Sequence, residues 1–302
     1  MKHRYQNGNY IVEIDDEDGT KTRDSGNEPE FLADFPESID LNITDWCNIG
    51  CPFCYRNCTT DGKHASYEDV AAIIETMLPW TEVALGGGSP IMHPDLDKIL
   101  DLCSDNDILA NMTVHWRHLI RQFEYLKDLA DARKLFGIGC SVDHFSKQVA
   151  DAASELKNSV VHLIAGIIKP KELLEYASSG AKILLLGYKN LGRAKTDAIP
   201  DMKDTRRVVE LIVHGHTPCK VLSFDNLALD QLGVKEILTE DAWKDVYMGD
   251  DGVDGKLTSA SMYVDAVAHT FSRNSLTSVL HSYNPAYTPN VEWMYKQLVD
   301  HE

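Results

Sequence analysis

Four of the seven cysteines, Cys47, Cys51, Cys54 and Cys58, fall within twelve residues. The first three read Cys47-Asn48-Ile49-Gly50-Cys51-Pro52-Phe53-Cys54, a C-x3-C-x2-C spacing with an aromatic ring before the last thiol. Three thiolates this close suit three irons of a four-iron cluster, leaving a fourth iron open to bind a small molecule directly. The residues admit other readings. Cys58 or His64 would complete four ligands around a structural zinc, making the loop a staple. A chance grouping of buried thiols needs no metal, although Asn48, Gly50 and Pro52 argue against a core strand or helix. Cys58 is either a bystander or redox-sensitive thiol, or else a ligand or reactive group. Cys103, Cys140 and Cys219 lie in apolar segments and read as buried thiols.

A second chemical signal is Leu85-Gly86-Gly87-Gly88-Ser89-Pro90. Glycines let a backbone approach a ligand closely and offer its amides and carbonyls to a polar head. Asn111, Thr113 and His115 alternate, so members facing inward would line a site, with His115 either structural or catalytic. Lys189, Asn190, Leu191, Gly192 and Arg193 make a cationic loop suited to a carboxylate or phosphate, or to solvent. Asp225-Asn226 and Asp265 stand at strand-like positions, where they either face a substrate or cap a turn. Cys140, beside Ser141, is either a thiol that gives up hydrogen in a site or an inert buried thiol.

These groups need elements to position them. An alternating run at 10–14, a turn at Asp18-Gly19 and residues 20–23 read as a small N-terminal hairpin, followed by a polar linker at 24–29. From residue 38 strands alternate with helices. Strands are expected at 39–43, 82–85, 109–114, 136–142, 160–168 and 181–187. Helices are expected from the Ser66 capping box to 78, and at 94–103, 117–135, 146–156, 170–178 and 205–214. Apolar runs such as Ile183-Leu184-Leu185-Leu186 suit a parallel sheet covered on both faces. The expected fold is α/β: a partial (β/α)6 barrel of parallel strands, with a small N-terminal hairpin and a C-terminal α+β extension. The expected divisions are 1–30 for hairpin and linker, 31–217 for the barrel and 218–302 for the extension. The extension holds a seventh strand at 220–224, a short helical piece at 225–238, a loop at Gly249-Asp250-Asp251-Gly252, a hairpin at 261–267 and 269–273, and a terminal helix at 291–299. It contains no cysteine beyond Cys219, which suits a lid or substrate-binding element without metal.

The 302 residues are 43% hydrophobic and 25% charged, the balance of a globular chain. The formal net charge of −18 repels polyphosphate, which excludes duplex nucleic acid and anionic membrane as general partners. The first twenty residues carry no apolar signal sequence, and no apolar run approaches membrane-spanning length. A cytoplasmic location is expected.

The cysteine spacing with Phe53, its place after the first barrel strand and the glycine run after the second together resemble the radical S-adenosylmethionine (radical SAM) enzymes, notably compact single-cluster members from phage and bacteria. The resemblance implies that Cys47, Cys51 and Cys54 ligate a [4Fe-4S] cluster. It implies that S-adenosylmethionine binds the open iron and is cleaved to a 5′-deoxyadenosyl radical, which abstracts hydrogen from a substrate. The implied substrates are peptides, nucleotides or small metabolites, and the implied electron donor is of the flavodoxin or ferredoxin kind. Phe53 and Tyr55 would lie near the adenine. Gly86, Gly87, Gly88 and Ser89 would hold the methionyl group, with Ser89 standing where the family pattern has glutamate. Ser141, with Asp143, would face the ribose, and Gly166 and Gly187-Tyr188 would lie on the adenine side.

Overall fold

The computed structural model describes residues 1–28, 30–247, 259–287 and 289–299, so the loop expected at 249–252 lies outside the described residues. Six strands alternate with helices as the apolar patterning requires. They are β4 (Ser38–Thr44), β5 (Glu82–Gly87), β6 (Leu109–His115), β7 (Gly137–Ser141), β8 (Ser159–Ile164) and β9 (Lys182–Leu186). The expected seventh strand follows as β10 (Val221–Phe224). From β5 onward each pairs in parallel with its predecessor, in the spatial order β10-β9-β8-β7-β6-β5-β4. On β4 the alternation separates two environments. Ile39, Leu41 and Ile43 are fully buried against the covering helices, while Asp40 and Asn42 line the concave side.

The covering helices are α1 (Tyr67–Ile74), α2 (Leu96–Asp105), α3 (Trp116–Arg121), α4 (Phe123–Asp131), α5 (Lys147–Glu155), α6 (Pro170–Ser178) and α7 (Lys203–Val213). Ser66 caps α1 by accepting the Asp69 amide at 3.1 Å, as its capping box predicts. The single helix expected over 117–135 is instead α3 and α4, broken at Gln122 (φ −120°, ψ 29°). No glycine or proline marks that break, so tertiary packing sets it. The strand expected to reach 168 ends at Ile164, because the chain turns through Gly166 at φ +80°.

Two departures involve the ends of the chain. The N-terminal hairpin is a three-stranded antiparallel sheet, because β1 (Lys2–Asn7) joins β2 (Tyr10–Asp15) and β3 (Lys21–Asp24) through a turn with Gly8 at φ +56°. This sheet caps the amino ends of the barrel strands: Lys21 Nζ lies 3.0 Å from Glu82 of β5 and 3.5 Å from Glu37, just before β4. The C-terminal hairpin, β11 (Ser261–Asp265) and β12 (Thr270–Ser272), does not merely fold on itself. β11 pairs in parallel with β4, and β13 (His281–Ser282) adds a tenth strand beyond β12. The barrel wall therefore includes the extension, and the sheet remains open with β10 and β13 at its edges. The segment expected as one helical piece at 225–238 is α8 (Asn226–Gln231) and a 3-10 turn (Val234–Glu236); α9 (Glu240–Val246) and α10 (Val291–Val299) follow. Among the described residues, no helix is long and apolar enough to cross a membrane.

Candidate active site

A cavity of about 520 Å³ opens at the carboxyl ends of the parallel strands, within the size range of small-molecule sites. It gathers residues far apart in the chain: Cys47, Cys51, Cys54, Phe53 and Tyr55 from the loop after β4; Gly86, Gly87, Gly88 and Ser89 from the end of β5; Ser141 from β7. Gly166 does not line it. Its missing Cβ makes room for Pro200, whose own Cβ would lie 2.6 Å away. Thr113 and His115 of β6, Gly187, Tyr188 and Lys189 after β9, and Asp225 after β10 also face the cavity. His115 is held neutral, its ring pushed down to about 4 by burial.

The glycine run divides into two functions. Gly88 N donates to Thr44 O at 2.6 Å and Ser89 N to Trp46 O at 2.8 Å, zipping the run onto the start of the cysteine loop. A Cβ on Gly88 would stand 2.2 Å from Trp46 O, and one on Gly87, at φ +111°, would stand 1.9 Å from Asn42 Oδ1. Only glycine permits that approach. Gly86 differs: a Cβ there would meet nothing nearer than Ala84 O at 3.8 Å. It is the member open to the cavity.

The cysteine loop is held from three sides. Ser89 Oγ donates to Cys47 Sγ at 3.3 Å, so the serine found in place of glutamate touches a thiol directly. Arg193 does not reach for a ligand; its amide donates to Cys54 O at 3.0 Å, its Nε to Cys51 O at 3.1 Å and its Nη1 to Cys58 O at 2.9 Å. Arg56 pairs with Asp45 at 2.7 Å and Asp265 at 2.9 Å, and also contacts the Tyr263 hydroxyl, tying the loop to β11. Asp265 accepts Asn42 Nδ2 at 2.9 Å as well. Burial alone would raise its carboxyl, but the Ala268 amide and Arg56 outweigh that and hold it low.

The thiols are unequal. A hydrogen bond from Cys58 holds the Cys54 thiol down to about 5, and the same contact with burial pushes Cys58 up. Burial pushes Cys51 up to about 11. Cys103 and Cys140 are pushed up to about 12 by burial, as inert thiols are. Among the described residues, no three His, Cys, Asp or Glu side chains stand close enough to share one metal ion. Three thiols lining one cavity, a short loop already folded and an adjacent open backbone fit a cluster in which each thiolate meets its own iron.

A family model described as the radical SAM superfamily matches residues 41–181, which takes in the cysteine loop, the glycine run and β4 to β8. The matched segment, just under half of the chain, is similar to the radical SAM superfamily. Among curated relatives, the 7,8-dihydro-6-hydroxymethylpterin dimethyltransferase of Methanocaldococcus jannaschii is 27% identical over 99 residues, 31% of this chain and 20% of that protein. A probable GTP 3′,8-cyclase of Methanococcus maripaludis is 28% identical over 96 residues, 30% of this chain and 32% of the relative. The chain thus spans between a fifth and a third of the length of these two. Among solved structures, SuiB of Streptococcus suis bound to S-adenosylmethionine shares the fold, with a TM-score of 0.60 at 13% identity over 88% of this chain and 68% of that one. SuiB bound to its precursor peptide SuiA gives 0.58, also at 13% identity, over 87% and 65%.

Asp40 on β4 and His162 on β8 also line the cavity and escape the motif reading. Asp40 was legible as a charge at an inward position of an otherwise apolar strand, Ile39-Asp40-Leu41. His162 gave a fainter cue. Its ring occupies the space a Gly139 Cβ would take, 2.3 Å from its Cε1, and burial pushes it down to about 4.

Proposed function

We propose that this chain is a radical SAM enzyme in which Cys47, Cys51 and Cys54 hold three irons of a [4Fe-4S] cluster and S-adenosylmethionine occupies the adjoining cavity. The observation that carries the reading is that the three thiols open into the same cavity as the unobstructed Gly86 backbone and the Ser141 strand end. When bound, the cluster supplies the electron that cleaves S-adenosylmethionine to the 5′-deoxyadenosyl radical, which takes a hydrogen atom from substrate.

The chain's own residues bind and shield. Gly86 lets the methionyl group lie against main chain, with the amine and carboxylate within reach of backbone amides and carbonyls. Ser141 offers its hydroxyl to the ribose, and Phe53 with Tyr55 walls the adenine side. Ser89 donates to the Cys47 sulfur and so fixes its position. Arg193 fixes the carbonyls of the loop and so the spacing of its thiols. Relatives named for a pterin, for GTP and for a precursor peptide span the substrate classes open to this chain, and the electron donor is of the flavodoxin or ferredoxin type.

Anaerobic reconstitution tests the reading. A brown protein with four irons and four sulfides, which on reduction converts S-adenosylmethionine to 5′-deoxyadenosine, is expected. A colourless protein holding one zinc would replace it with the structural-staple reading.

A further inference from the structure

The cavity extends below the glycine run, and Asp40 stands on that floor. Asn42 pairs in register with Gly86, and Asp40 with Ala84, so Asp40 sits one inward-facing position deeper, about 7 Å along the strand. Its other register neighbour is Tyr263 of β11. Neither neighbour satisfies the carboxyl. Ala84 has only a methyl, and the Tyr263 hydroxyl is engaged by Arg56 and Asp265. Across the cavity, Lys189 Nζ is bonded to Ser275 Oγ at 2.9 Å and lies 4.4 Å from the centre of the Tyr55 ring, while Asp225 accepts the amides of Gly187 and Ala228. Lys189 and Asp225 act on Asp40 only at longer range and with opposite signs. Among the described residues Asp40 makes no hydrogen bond or ion pair. The carboxyl is exposed to the cavity and therefore open to a guest that completes it. Leu184 and Leu186 of β9, which line the same cavity, suit a hydrocarbon stem.

We propose that Asp40 anchors a substrate that carries a cationic nitrogen, a protonated amine or guanidinium on an alkyl stem, beneath the S-adenosylmethionine site. The inference rests on the proposed function for its placement of the cofactor above the floor. An ion pair with charge-assisted hydrogen bonds there fixes which carbon of the stem faces the reacting end of the cavity. Cations are therefore favoured over neutral isosteres of the same shape.

The test is ligand-observed NMR titration of the reconstituted full chain with S-adenosylmethionine present, using butylguanidinium, butylammonium, neutral butylurea and anionic butyrate as probes. Butylguanidinium and butylammonium are expected to bind at least tenfold tighter than butylurea, with butyrate weakest. Asp40→Asn should abolish that preference while S-adenosylmethionine affinity and the cluster chromophore are unchanged; Asp40→Ser serves if the first variant does not fold. Equal binding of butylguanidinium and butylurea by the wild type, preference for butyrate, or a cation preference that survives both variants would overturn the proposal. Failure of the proposed function is read separately, as a wild type that assembles no cluster and binds no S-adenosylmethionine.

Discussion

Gly86 and Gly87 are adjacent in the chain and differ in what a side chain would meet, so they separate binding from folding. Gly86→Val places its methyls in open cavity. It is expected to leave the unfolding midpoint within a few degrees while weakening S-adenosylmethionine binding at least tenfold, read by equilibrium dialysis. Gly87→Val drives a branched side chain at φ +111° into Asn42 and Thr44 and should cost roughly 3 kcal/mol or more. Unchanged affinity in Gly86→Val would remove the glycine run from the binding site. Cys47→Ala, Cys51→Ala and Cys54→Ala should each abolish the four-iron absorbance, since each uncovers an iron. Cys58→Ala should retain it, because Cys58 serves as the hydrogen-bond partner of Cys54; loss of iron in that variant alone would make Cys58 a ligand. The thiols and glycines were legible because spacing and residue type carry their chemistry. Gly166 and Arg193 were not, since a turn glycine and a loop cation look alike whether they face a ligand, Pro200 or the carbonyls of another loop.

At the level of elements, the cysteine loop contributes little regular structure and is held by its neighbours. Arg193, in the segment after β9, donates to the carbonyls of Cys51 and Cys58. Arg193→Ala should cost on the order of 2–3 kcal/mol, as hydrogen bonds from a charged group do. It should also raise amide hydrogen exchange across residues 51–58 of the unreconstituted chain, while Arg193→Lys restores only part of the protection because one ammonium cannot span both carbonyls. Unchanged exchange in Arg193→Ala would mean that the loop holds itself. The parallel strands were legible because period and apolar runs report burial on both faces. The split between α3 and α4 and the docking of β11 beside β4 were not: neither has a local sequence cause, and parallel pairing between residues 223 positions apart, such as Ser38 and Ser261, is a tertiary choice.

For the whole molecule, the barrel floor depends on a buried ion pair at the junction with the N-terminal sheet. The Glu37 side chain is 1% exposed. It accepts Arg23 Nε at 2.8 Å, Arg23 Nη2 at 2.7 Å and the Tyr10 hydroxyl at 2.6 Å, with Lys21 3.5 Å away. Burial alone would raise its carboxyl, but Arg23 outweighs burial, so it is held below the ordinary carboxylate range. A carboxylate depressed on folding contributes stability above its unfolded pKa of about 4.3, and that contribution fades as pH falls through the lower folded value. Glu37→Gln removes the charge that Arg23 meets with two hydrogen bonds and should cost about 3–5 kcal/mol at pH 7. The deficit relative to wild type should narrow steadily below about pH 4, as the wild type loses the same charge. Urea unfolding of both proteins at pH 7, 5, 4 and 3 measures it. A deficit that stays constant across that range would show that Glu37 acts through packing rather than through its charge.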